Sequence, residues 1–339
     1  MMKKKPGYMV AILGATGAVG METLEILEER KFPLAELRLF ASKRSAGEVM
    51  TCQGKEWTVE ELTESSSFDG VDLAFISATD AISKEYGQRL GAAGIAVIDD
   101  SAVFRMDDQV PLVVPEVNAA ALRAMPRGIV SIPNCTTTPL VMALKPLHDA
   151  VGVKRVVVTT FQSVSGTGTA AMDELMEQTK DLLAFRDIET KVYPYQIAFN
   201  LLPHIGSLNE GGDCSEEVKI AKETRKILGA PGLRVTATTV RVPVLRCHSE
   251  AINVDLERPL KVNEARAALA AMPGVIVYDD PVKKLYPMPL DATGKDEVYI
   301  GRVREDESIA NGLNLWVVSD NLRKGAALNA IQIAECLVA

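Results

Sequence analysis

Apolar runs alternate with amphipathic stretches along the first part of the chain. Tyr8–Leu13, Leu37–Ala41, Asp72–Ser77 and Ile95–Asp99 are short, nearly continuous apolar runs, the pattern of strands buried on both faces. Between them, Met21–Arg30 and Ala81–Ala93 carry apolar residues at helical spacing, and Thr63–Asp69 reads as a polar surface loop. Strand–helix alternation predicts a parallel sheet with right-handed crossovers, the doubly wound α/β class.

The pattern changes after Cys135. Longer strand candidates stand at Val153–Phe161, Arg234–Pro243, Ala251–Glu257 and Leu313–Val318, with helices at Ala170–Phe185, Ser215–Leu228 and Val262–Met272. Long strands without regular alternation predict an antiparallel sheet with helices on one face. Asn321–Val338 is again helical, its apolar side formed by Leu322, Leu328, Ile331, Ile333 and Leu337. That helix is expected to return to the first domain. The predicted organisation is residues 1–133 completed by 321–339, and a second domain over 134–320.

Composition narrows the partners. A net charge of −8 argues against a general nucleic-acid surface, though not against a local basic pocket. No apolar run is long enough to span a bilayer, and the run after Met1-Met-Lys-Lys-Lys5 is too short for a signal peptide. The five cysteines are scattered with neither metal-ligand spacing nor a disulfide framework, so no metal is expected and a reducing cytoplasm is the expected compartment.

Two stretches suggest a dinucleotide. "AILGATGAVG" places Gly14, Gly17 and Gly20 between a strand and a helix, where backbone N–H groups can approach a pyrophosphate. The spacing is GxxGxxG, and a ligand-free glycine turn is the plain alternative. The second strand then runs into Ser42-Lys-Arg-Ser45 with no acid to hold a ribose 2′-hydroxyl. Hydroxyls and a guanidinium suit a 2′-phosphate, which favours NADP; solvated loop charges are the alternative.

"SIPNCTTTPL" suggests a nucleophile. The strand over 128–132 ends just before Cys135, and Thr136, Thr137 and Thr138 are capping residue types ahead of a helix through Val141, Leu144 and Leu147. The positive end of that helix would favour a thiolate, against the plain reading of a buried structural cysteine. "FQSVSGTG" sets Gln162 and a Ser165-Gly-Thr-Gly168 loop after a strand. "VRVPVLRCHSE" carries Arg241 and His248, which an extended chain would hold about 23 Å apart on opposite faces. A bend at Pro243 or after Val244 is required if both serve one site.

Together these segments resemble the aspartate-semialdehyde dehydrogenase family over essentially the whole chain. The matches are GATGAVG, SKRSAG, FR…VPLVVPEVN, PNCTTTP, FQSVSGTG, SEEVKIAKETRKIL and RVPVLRCHSE, in the family's order. The resemblance implies a Rossmann-type domain plus a mixed α/β (α+β) domain for catalysis and homodimerisation. It makes Cys135 the acyl-thioester nucleophile, His248 the general acid/base and Gln162 the residue that orients the acyl group. Arg241 becomes the substrate carboxylate binder, Glu216 the contact for its amine, Asn134 a further substrate contact, and Arg105 with Lys219 the phosphate pair. NADP is expected at Gly14, Thr16, Gly17, Ala18, Val19, Gly20, Ser42, Arg44, Ser45, Ser165, Gly166 and Asn321. Cys247 departs from the pattern, which has glycine or alanine before the histidine.

The implied reaction is reversible: the thiolate attacks aspartate 4-semialdehyde, a hydride passes to NADP, and phosphate releases the thioester as 4-phospho-aspartate. Its reverse would supply lysine, threonine and methionine synthesis. An N-acetyl-glutamyl-phosphate reductase and a catalytically silent NADP-binding paralogue are the alternatives. PNCTTTP and the EEVK pair argue against the first, and retention of Cys135, Gln162, Arg241 and His248 argues against the second.

Overall fold

The computed structural model describes residues 2–339, which divide into two compact units. One unit runs to Asn134 and resumes over Ala326–Ala339; the other is Cys135–Gly325.

The first unit is built on β1 (Tyr8–Leu13), β2 (Leu34–Ala41), β3 (Val49–Cys52), β4 (Lys55–Glu61), β5 (Leu73–Ile76), β6 (Ala96–Asp99) and β7 (Ile129–Ser131). Their order is β3-β4-β2-β1-β5-β6-β7, and every pair is parallel except β3–β4. The apolar runs of β1 and β5 are buried because α1 (Ala18–Glu29) and α2 (Asp80–Ala92) follow them as crossovers. The β3–β4 hairpin was not expected. Its strands are short and mostly exposed, and Gln53 and Gly54 turn between them at φ 51° and 70°. The helix predicted over 321–338 is interrupted: Arg323–Ala327 is a π-helical turn, and Leu328–Val338 continues as α-helix. Ile331, Ile333, Ala334 and Leu337 of that helix join Leu24, Leu27, Val10 and Ile12 in one core.

The second unit holds β8 (Val153–Gln162), β9 (Arg234–Arg241), β10 (His248–Leu256), β11 (Val275–Val277), β12 (Val298–Asp306) and β13 (Gly312–Ser319). Their order is β11-β12-β13-β10-β8-β9. The antiparallel expectation needs correction, because β8–β9 and β11–β12 are parallel. The long connection from β8 to β9 contains α4 (Thr169–Leu183) and α5 (Ser215–Leu228), enough chain to return β9 in the same direction. The helix before β8 is α3 (Thr137–Val151), which packs on α5, on β13 and on α6 (Val262–Ala270). Residues of β8 alternate, with Val156, Val158, Thr160 and Gln162 buried and Val157, Thr159 and Phe161 half-buried. Ser215–Leu228 forms as predicted. Its Glu217 accepts from the Cys214 N–H at 2.7 Å, and Gly229 closes it at φ 62°.

Candidate active site

In the first unit the glycines have steric reasons. Gly14 has φ 92°, and a Cβ on it would meet the Ser77 carbonyl oxygen at 2.2 Å. A Cβ on Gly20 would stand 2.2 Å from the Gly14 oxygen, so β1, the turn and α1 are in backbone contact. Gly17 is the exposed N-cap of α1, with neither a side-chain cap nor an acid in the first turn. Open N–H groups at the positive helix end fit an anion such as a pyrophosphate, with Thr16, Ala18 and Val19 half-buried around them. Beyond β2, Ser42 and Arg44 are exposed, Ser45 is buried, and no carboxylate replaces them. That donor set fits a phosphorylated ribose. Arg105 is buried, and its Nη2 donates to the Asp100 carbonyl at 2.7 Å. Asn134 is buried at the end of this unit.

In the second unit Cys135 is half-buried, one residue before the N-cap of α3. The threonine-cap expectation is corrected here: Thr136 has helical backbone angles, and its hydroxyl does not cap. Cys135 is instead fixed from behind. A Cβ on Gly325 would lie 3.1 Å from the Cys135 Cβ and 3.2 Å from its carbonyl oxygen, closer than ordinary contact.

The expected bend between Arg241 and His248 is present. The connection between β9 and β10 lies along the loop after β8, whose Val164 and Ser165 N–H groups donate to Val244 and Leu245. Cys247 ends it at φ 74°, a left-handed conformation that explains why glycine would suit this position. β9 and β10 flank β8 on opposite sides. Arg241 pairs with Gln162, Ser249 pairs with Phe161, and His248 pairs with Ser319. Arg241, Gln162, His248 and Ser319 therefore form one buried row across four strands. A Cβ on Gly166 would meet Arg241 Nη1 at 3.0 Å and His248 Nε2 at 3.2 Å, so glycine lets both approach the loop.

The row is held by hydrogen bonds. Arg241 Nη1 donates to the Ser163 carbonyl at 2.6 Å, and the Ser163 N–H donates to His248 Nδ1 at 3.0 Å. Asn321 Oδ1 accepts from the Ser163 and Ser165 hydroxyls and from the Cys247 N–H. Burial, and then the nearby Arg241 cation, push His248 well below the usual imidazole range, so the ring is neutral. Because Nδ1 accepts, the ring hydrogen resides on Nε2, which has no hydrogen-bond partner among the described residues. Gln162 donates to Glu216 Oε1 at 3.2 Å, and Glu216 Oε2 lies 3.5 Å from Lys219 Nζ.

Sequence reading missed Ser163, Thr160 and Ser319. Ser163 lay inside a quoted motif, but only its backbone geometry shows its hold on His248. Thr160, whose hydroxyl donates to Gln162 Oε1 at 2.9 Å, was findable as the residue two places before Gln162 on one strand face.

Comparison with known proteins covers both units. The model of the semialdehyde dehydrogenase NAD binding domain matches residues 9–125, and that of the semialdehyde dehydrogenase dimerisation domain matches residues 144–324. The chain is 50% identical to an aspartate-semialdehyde dehydrogenase of Aquifex aeolicus, covering 98% of each chain. The Bacillus subtilis aspartate-semialdehyde dehydrogenase is 46% identical, over 98% of this chain and 97% of its own. Among solved structures, aspartate semialdehyde dehydrogenase II of Vibrio cholerae, complexed with ASA, superposes with a TM-score of 0.96. It is 44% identical and covers 98% of this chain and 99% of its own. With the site's geometry and full-length similarity in agreement, the chain belongs to the aspartate-semialdehyde dehydrogenase family of oxidoreductases.

Proposed function

We propose that this chain uses NADP and phosphate to interconvert aspartate 4-semialdehyde and 4-phospho-aspartate, through a thioester on Cys135. The buried row Arg241–Gln162–His248 carries this reading, because it sets a cation, an amide and an imidazole N–H side by side. Arg241 binds the substrate carboxylate, and Glu216 and Asn134 contact the remainder of the substrate. The Cys135 thiolate bonds to the aldehyde carbon, the His248 Nε2–H faces the developing oxyanion, and His248 serves as the general acid/base that moves the protons. NADP, when bound, would accept the hydride; Gly14, Thr16 to Gly20, Ser42, Arg44 and Ser45 would hold it, as would Ser165, Gly166 and Asn321. Arg105 and Lys219 hold phosphate, whose oxygen attacks the thioester and returns the Cys135 thiolate.

The exposed Arg44 and the absence of an acid after β2 support NADP over NAD. The dimerisation-domain match supports a homodimer, and five free cysteines suit a reducing cytoplasm. The reverse reaction would serve lysine, threonine and methionine synthesis, including the diaminopimelate branch.

NADP reduction with aspartate 4-semialdehyde, with and without phosphate, tests the reading, with N-acetylglutamate 5-semialdehyde as control. Turnover should require phosphate or arsenate, and the longer aldehyde should react poorly. Full-rate release of free aspartate without phosphate would show a hydrolytic enzyme and remove the roles given to Arg105 and Lys219.

A further inference from the structure

Behind the row that carries Gln162 and His248 lies a second row on the same sheet face: Thr239 on β9, Thr160 on β8, Glu250 on β10 and Val317 on β13. Glu250 is 1% exposed, and neither of its carboxyl oxygens has a hydrogen-bond partner among the described residues. The mechanism above does not use it. Its own strand offers only the neutral His248 two places away. From β8 it meets Thr160, and from β13 Val317. The helix packed on β10, α3, carries Lys145, His148 and Asp149 in its last two turns, with Cys135 just before its start. Burial alone acts on Glu250 and pushes its titration well above the usual carboxylate range. The group therefore keeps its proton and is a hydrogen-bond donor.

The bonds around Gln162 have a fixed direction. The Glu216 carboxylate can only accept, so Gln162 must turn its NH2 toward it. The Gln162 carbonyl then faces Thr160, whose hydroxyl spends its one hydrogen there. Thr160 is left with lone pairs only. Glu250 stands directly opposite Thr160 in the antiparallel pair, with Cβ atoms about 4.5–5.5 Å apart. A side-chain rotation or one bridging water closes that span.

We propose that Glu250 is a positioning residue for Gln162: it donates to Thr160 across the strand pair, completing a one-way chain Glu250 → Thr160 → Gln162 → Glu216. The chain fixes which end of the Gln162 amide meets the substrate side. An ionised Glu250 could only accept, so Thr160 would turn its hydrogen away from Gln162. The catalytic consequence rests on the role assigned to Gln162 above; the chain itself does not.

The test combines kinetics with the nitrogen-15 signal of the Gln162 side-chain amide, identified by its loss in Gln162→Leu. Glu250→Gln retains a neutral donor, so its kcat should stay within about threefold of the parent and its amide signal should persist. Glu250→Met keeps the volume without the donor. Its kcat should fall about tenfold, the equivalent of one lost hydrogen bond, with KM for NADP unchanged and the amide signal moved. Thr160→Val should behave likewise, and the Glu250→Met/Thr160→Val double variant should be no worse than the poorer single one. Additive losses, an equal loss in Glu250→Gln, or an unmoved amide signal in Glu250→Met would overturn the chain. A moved signal with unchanged kcat would support the chain and refute the role assigned to Gln162.

Discussion

Gly325 separates the placement of the nucleophile from the stability of the fold. Gly325→Ala adds one methyl whose carbon would stand 3.1, 3.2 and 3.3 Å from the Cys135 Cβ, oxygen and Cα. Ordinary contacts begin near 3.4 Å, so Cys135 must shift by a few tenths of an ångström. The residue lies in a helical turn, where alanine replacing glycine contributes about 1 kcal/mol. Mild overpacking costs about the same, so the denaturation midpoint should scarcely move. Activity has no such compensation. A misplacement of about 1 Å costs about a hundredfold in rate, so a shift of about 0.3–0.5 Å should lower kcat about four- to tenfold. Steady-state kinetics, thermal unfolding and the rate of Cys135 alkylation would be measured on the same preparation. Full kcat in a normally folded variant would refute the idea that Gly325 sets the sulfur's position. A collapsed melting temperature would instead assign the glycine to the fold.

Iodoacetamide near neutral pH should modify Cys135 first. Cys52 and Cys247 are buried, with thiols pushed up to about 11 and about 12, so peptide mapping that finds either labelled first would contradict the assignment. Arg44→Ala should weaken NADP binding about ten- to a hundredfold while sparing NAD, measured by fluorescence titration; equal losses would remove Arg44 from the 2′-phosphate. Glu250 should also shape stability with pH. Its folded value is raised, so above about 4.5 the unfolded chain ionises while the fold stays protonated, and stability falls by up to about 1.4 kcal/mol per pH unit until the folded value is reached. Glu250→Gln removes that loss, so its urea-midpoint advantage should widen as the pH rises above about 4.5. A constant difference would mean that Glu250 is ionised in the fold.

Much of the first unit was legible because its strands are buried on both faces and its helices on one. Periodicity and burial there carry the same message. The β3–β4 hairpin was not legible, since a mostly exposed ribbon turning through Gln53-Gly54 lacks both the apolar alternation and the usual turn pair. β10 shows the commoner reason for failure. It begins at His248, but the sequence suggested Ala251, because His248, Ser249 and Glu250 look like loop residues until the site that buries them is known. The individual site residues were visible in their motifs. Their assembly into one row was not, because strand order and register are tertiary facts.

The first unit is assembled from the two ends of the chain, and this has a consequence for its biosynthesis. Leu328–Val338 supplies Ile331, Ile333 and Leu337 to a core otherwise built from residues before Asn134. A ribosome releases the glycine turn and most of that sheet early, then makes the whole of Cys135–Gly325 before the last helix. At about 5–20 residues per second, the nascent sheet waits about 10–40 s with part of its apolar face open. Losing even the final turns of the chain would therefore leave the earliest part of the protein unfinished, a vulnerable state for chaperones to cover and proteases to find.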